Sequence, residues 1–325
     1  MMEAIEWLLQ SVPYIEYNTR VELLKQSESD IEVQQAKKHM VDDQRIKTLL
    51  TELKDWPGYS LKRHNDAKHL IHKLAFITDL GFDNSNSTLK FVSKQIFKQQ
   101  SEEGAFQIMI NIPTHFGGSG EDEFLWMLCD TPTILYSMLK MGWKNDKRIE
   151  LSINYIKGLI RENGWPCASS PKLGGKFKGP GKRSDPCPYT NLIILKALAQ
   201  HPNSVNCKEC KIGAETLLSL WEQRKQIKPF LFGMGTDFKK LKAPLIWYDI
   251  LHVTDVLSRF NWLHKDKRLL EMIEIIKKKA NSDGLYTAES VWRAYKEWDF
   301  GQKREPSPWI TLLVYRILKH FKKIT

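Results

Sequence analysis

The chain has 325 residues, of which 42% are hydrophobic and 27% charged, and 49 Lys and Arg outweigh 38 Asp and Glu for a formal net charge of +11. That is a globular composition with apolar material for a sizeable core, and it excludes disordered, collagen-like and coiled-coil chains. No uncharged apolar run is long enough for a transmembrane helix.

From the N-terminus, Met1 to Trp7 carry acids where an export signal carries Lys or Arg. Five cysteines in a chain of this length make no disulfide framework. A reducing, cytoplasmic location is expected. The positive balance admits nucleic acid, an anionic lipid surface or a small anionic substrate. The small anionic substrate is carried forward; nucleic acid is set aside. The oligomeric state is not legible. Residues 1–62 are helical in pattern, with charged faces and a break at Trp56-Pro57-Gly58, and form an N-terminal helical extension.

Residues 63–325 show an internal repeat. Asp185-Pro186-Cys187-Pro188-Tyr189 and Glu305-Pro306-Ser307-Pro308-Trp309 share one pattern: acid, Pro, small residue, Pro, aromatic, then an apolar helix. Gly164 precedes Pro188 by 24 residues, as Gly284 precedes Pro308. Weaker copies start at Pro132 and Tyr248, giving steps of 56, 60 and 60 residues, and a fainter one lies at His69 to Leu74. Pro suits a first helical turn, where its missing N–H needs no partner, and the preceding acid complements the helix dipole. Helical periodicity follows each start and strand alternation is scarce, so the fold is all-α. Units of about 60 residues fit antiparallel helix pairs, which stack as a solenoid or close into a toroid whose helix N-termini favour anions.

Several loops carry chemistry. Lys172 to Arg183 is rich in Lys and Gly, and Lys176, Lys178, Lys182 and Arg183 are candidate clamps for a diphosphate. One repeat later, Asp237, Lys239 and Lys242 occupy the same place. His115 lies near Glu121, Asp122 and Asp130 in sequence and suits acid–base work, while Glu121-Asp122-Glu123 also reads as a helix start. Arg63-His64-Asn65-Asp66 with His69 and His72 is a further polar cluster. Cys207-Lys208-Glu209-Cys210 is a single CxxC with no second pair at zinc-finger spacing. Eleven Trp are many; most are core, and Trp165, Trp247 and Tyr248 are candidate substrate contacts.

Asn163-Gly164-Trp165, Asp283-Gly284-Leu285 and the four helix starts resemble the α/α toroid of squalene and terpene cyclases and of protein prenyltransferase β subunits. The resemblance covers the chain from about Ser101 onward. The whole is similar to bacterial and archaeal proteins often labelled prenyltransferase-like. It implies a toroid with a central cavity and a transferase-like enzyme acting on an anionic, partly apolar substrate such as an isoprenoid diphosphate. The Asp-x-Asp-Asp motif of class II cyclases is absent; Gly120-Glu121-Asp122-Glu123 and Val41-Asp42-Asp43-Gln44 come nearest. Prenyltransferases hold zinc with an Asp-x-Cys pair and a later His, which maps onto Asp185, Cys187 and His252. The catalytic candidates are therefore Asp130, Asp185, Asp249 and His115. Two other readings stay open: a carbohydrate-active enzyme using Asp130 and Asp249, and a non-catalytic scaffold or nucleic-acid binder.

Overall fold

A computed structural model describes residues 2–173, 182–227 and 232–322. The described residues form thirteen α-helices: α1 Met2–Leu9, α2 Pro13–Asn18, α3 Ile31–Asp42, α4 Gln44–Glu52, α5 Leu70–Asp79, α6 Ser87–Lys98, α7 Thr131–Lys140, α8 Lys147–Gly158, α9 Pro188–Leu198, α10 Lys208–Glu222, α11 Ile250–Leu257, α12 Lys267–Lys277 and α13 Pro308–Lys322. One antiparallel pair, β1 Ile108–Asn111 and β2 Asp122–Leu125, pairs Ile108 with Leu125 and Asn111 with Asp122. None of the described helices is long and apolar enough to cross a membrane. The chain divides into two compact units, one of Met1–Leu49 with Met234–Thr325 and the other of Leu50–Gly233. The early helices thus join the C-terminal third in one unit.

In the Leu50–Gly233 unit, two kinds of helix alternate. Every residue of α9 is buried, as is nearly all of α5 and α7. A helix apolar all round belongs in an interior. By contrast α8 buries only Ile149, Ser152, Ile153 and Ile156, a stripe at i, i+3, i+4 and i+7, and α6 follows the same rule. α5 packs on α7, α7 on α9 and α9 on α10. Near their ends, Asp79 of α5, Tyr136 of α7 and Lys196 of α9 meet. The Tyr136 hydroxyl donates to Asp79, and the Lys196 ammonium sits 3.8 Å from the Asp79 carboxylate and 4.5 Å from the Tyr136 ring centre. A buried polar cluster of this kind fixes which turn faces which more than it adds stability. Gly142 ends α7 at φ 95°, where its own N–H reaches Leu139 O and the next N–H reaches Met138 O. That left-handed step needs glycine.

The other unit repeats the alternation. All of α11 is buried, whereas α12 buries the stripe Leu269, Met272, Ile273 and Ile276. α13 packs on α11 and on α2. Arg316 of α13 pairs with Asp255 at 2.8 Å and Glu22 at 2.9 Å.

The two segments with matching sequence are alike locally but one residue out of step, the backbone acceptor being the first residue after Gly164 and the second after Gly284. Gly164 and Gly284 both have positive φ, 111° and 79°. Cys187 N–H reaches Trp165 O at 2.9 Å, and Ser307 N–H reaches Tyr286 O at 2.8 Å. Glu121-Asp122-Glu123, expected as a helix start, belongs instead to the hairpin, with Asp122 accepting from the Asn111 amide at 2.9 Å. The pairing partner lies about a dozen residues upstream, beyond what local pattern reports.

Candidate functional site

The strongest concentration of reactive groups lies in the Leu50–Gly233 unit, where α7 and α9 begin. Asp130 occupies the N-cap position of α7 but makes no side-chain capping bond. Its carboxylate, 2% exposed, is instead engaged by His64 Nδ1, 3.0 Å from each oxygen. His64 sits on the loop before α5. That loop is held by α5 itself, since His72 Nε2–H donates to the His64 carbonyl at 2.8 Å. His69 caps α5 by accepting Ile71 N–H at Nδ1, and its Nε2–H donates to Tyr59 O. Both helical histidines are therefore neutral donors. Burial pushes the pKa of each down, that of His72 to about 4.

His64 is the opposite case. Its burial disfavours charge, but the Asp130 carboxylate overrides that and raises the pKa to about 9. The imidazole is thus a cation across neutral pH. Its side chain is 36% exposed, and Nε2 meets no hydrogen-bond partner among the described residues. A buried carboxylate thus fixes one ring nitrogen and leaves the other at the surface.

Three thiols adjoin this pair. Cys129 precedes Asp130, Cys187 occupies the N-cap position of α9 without a side-chain capping bond, and Cys167 follows Trp165-Pro166; all are free. Cys129 is within hydrogen-bonding reach of both others, and its Sγ lies 3.6 Å from the Thr190 hydroxyl. Donation from Cys129 holds Cys187 down to about 6, against burial, with Thr190 and the His64 charge acting the same way. As the shared donor, Cys129 is pushed up. Cys167 is held low by the same donor, against burial, and is half-buried. α9 is tied to the Trp165 turn by Asn191. Its Oδ1 accepts Trp165 N–H at 3.1 Å, and its Nδ2 donates to Trp165 O and Cys187 O at 2.9 and 2.8 Å.

The expected site residues in this unit fare differently. Asp130 is in the cluster, but its partner is His64 rather than His115, which is exposed on the hairpin loop with its ring tilted 46° against that of Phe116. Trp165 is 0% exposed. Its indole N–H donates to Ile156 O at 2.8 Å and its ring packs on Gly213, so it is part of the core. Asp185, Lys182 and Arg183 are exposed. Lys176 and Lys178 lie outside the described residues.

In the other unit Asp249 caps α11, its Oδ1 accepting His252 N–H at 2.9 Å, and His252 Nδ1 donates to Trp247 O at 2.8 Å. The Lys242 ammonium lies 3.2 Å from the Trp292 ring centre, and burial lowers its pKa against the pull of Asp249. Tyr248 is buried against Phe238, Trp247 and Lys239 are half-buried, and the exposed Asp237 pairs with Lys240 at 2.5 Å. Among the described residues no group of three His, Cys, Asp or Glu side chains is placed to hold a metal ion. The geometry thus gives no support to zinc at Asp185, Cys187 and His252: Asp185 points to solvent and His252 Nδ1 is taken by a carbonyl. Sequence reasoning noted His64 but assigned it no role. The signal was its place beside the i, i+3 histidines that fix its loop.

No protein-family model matches the chain, and no curated protein matches its sequence. Among solved structures it is similar to the type II terpene cyclase MstE from Scytonema without ligand, with a TM-score of 0.42, 10% identity and 99% of this chain covering 88% of that one. A variant of that enzyme in complex with its product, merosterolic acid A, gives the same figures. A second variant, in complex with its substrate geranylgeranyl dihydroxybenzoate, gives 0.42 and 9% over the same coverage.

Proposed function

We propose that this chain is an enzyme whose reacting group is His64, oriented by Asp130, and that its substrate is anionic and partly apolar, such as an isoprenoid diphosphate. The observation that carries the reading is the disposition of one imidazole. Its Nδ1 is clamped by a buried carboxylate that forgoes helix capping, its charge persists across neutral pH, and its side chain is 36% exposed. In this role His64 Nε2–H donates to an anionic oxygen of the substrate and steadies the charge that grows there as the C–O bond breaks. Asp130 holds the charge on the imidazolium and fixes the ring orientation. The beginning of α9 adds positive potential from its N-terminus. With this function goes the fold that the resemblance implies, an α/α toroid of antiparallel helix pairs. The alternation of wholly buried and one-faced helices inside each unit supports it.

Cys187 sets the pH dependence. Below about 6 its thiol is neutral and the cluster gains one unit of positive charge. An anionic ligand therefore binds more tightly at pH 5 than at pH 7.5, and binding is lost as pH rises through about 9 and His64 discharges. Calorimetric titration with geranylgeranyl diphosphate tests the reading. His64→Gln weakens binding at least about tenfold, which is ~1.4 kcal/mol. A wild-type protein that binds no isoprenoid diphosphate, or a variant that binds it equally well, refutes the reading.

A further inference from the structure

The CxxC lies outside that cluster, at the start of α10. Cys207 is the N-cap residue, and its Sγ accepts Cys210 N–H at 3.4 Å. The N-cap and the third helical residue share one side of the first turn, so the two sulfurs are brought together by the helix itself. Cys210 is 0% exposed; its one S–H has two acceptors in reach, Ser204 O at 3.3 Å and the Cys207 sulfur. Cys207 is half-buried and open to reagents.

The charged groups acting on Cys207 are Lys157 of α8 and, on its own helix, Glu209, which Lys208 adjoins. Donation from Cys210 holds Cys207 down to about 7, against burial and Glu209 and with the help of Lys157. The same hydrogen bond, with burial, pushes Cys210 far up. The reachable sulfur is therefore the thiolate, and the buried one keeps its proton. That asymmetry separates an attacking from a resolving cysteine. No third His, Cys, Asp or Glu among the described residues completes a metal site here.

We propose that Cys207 and Cys210 form a dithiol couple that reduces small-molecule disulfides, with Cys207 attacking and Cys210 resolving. The Cys207 thiolate attacks one sulfur of RS–SR. A Cys207–SR bond forms, the reagent's S–S bond breaks, and RS⁻ leaves. The Cys210 sulfur then attacks Cys207 and its proton passes to the departed RS⁻. The Cys207–Cys210 disulfide forms and the second RS⁻ leaves. One thiolate and one thiol are oxidised to a disulfide, and one RS–SR is reduced to RSH and RS⁻.

The test uses the full chain with oxidised glutathione as probe, followed by acid quench and peptide mass spectrometry. Wild type yields a linked Cys207–Cys210 peptide. Cys210→Ser accumulates glutathione on Cys207, and Cys207→Ser slows modification at Cys210 at least about 100-fold. A measurement on wild type alone guards against misfolded variants. Iodoacetamide labels Cys207 at least about 100-fold faster than Cys210, with half-maximal rate near pH 7. Wild type that keeps both thiols, glutathione that lands on Cys129, Cys167 or Cys187 instead, or prior labelling of Cys210 overturns the proposal.

Discussion

The starts of α13 and α9 come from the same sequence pattern and are finished differently. At α13 the Ser307 hydroxyl accepts Ile310 N–H at 3.1 Å and itself donates to Asp299 at 2.5 Å. Asp299 also accepts the Tyr14 hydroxyl at 2.8 Å and Trp309 N–H at 2.9 Å. Arg45 covers the group, over the Tyr14 and Trp298 rings. The acid expected to serve that helix, Glu305, is exposed; the carboxylate that does serve it comes from Asp299. At α9 the small residue is Cys187, a weaker hydrogen-bonding group, and the acid Asp185 is exposed. Stability there comes from Asn191, and the thiol is left beside His64 and Asp130. One start is saturated with structural bonds, and the other keeps titratable groups within reach of one another. A shared motif thus sets the backbone and leaves the chemistry to the residue between the prolines.

That contrast can be broken from either side. The largest effect is expected from Asn191→Ala. It leaves the Trp165 N–H without its buried partner and removes one of the two bonds that Trp165 O and Cys187 O each accept, and destabilises the fold by about 4 kcal/mol. Its counterpart Thr311 accepts only Tyr286 N–H, so Thr311→Val costs about 1.5 kcal/mol. Equal losses in urea titrations of the two variants would show that the two starts are not held differently. Next comes Asp299→Ala, which strips three donors of their acceptor and lowers stability by about 3 kcal/mol. A change under ~1 kcal/mol would mean water replaces the carboxylate.

Asp130→Asn has the most specific effect. Without the carboxylate, only the Cys167 and Cys187 charges oppose burial, and the His64 titration seen by NMR falls well below about 9. The sign for stability follows. In the wild type the raised pKa contributes stability that is full below about 6.5 and lost as pH rises through about 9. The variant lacks that decline between the two values. A midpoint unchanged in Asp130→Asn would sink the orienting role of Asp130.

By itself the sequence determined several helix starts. Pro132, Pro188 and Pro308 stand in the first turns of α7, α9 and α13, and Gly142 terminates α7, because these residues act through their own backbone. Buried stripes such as Ile149, Ile153 and Ile156 were equally legible, since helical period is local. Only the tertiary structure decided what the polar groups do. It joined His64 to Asp130 across 66 positions, set Cys129 against Cys187 and Cys167, and turned Trp165 inward. It also placed Glu121 to Glu123 in or beside a strand whose partner lies a loop away. Such meetings depend on which helix faces which at which turn, and that is fixed by packing and desolvation between segments distant in sequence, which local spacing does not encode.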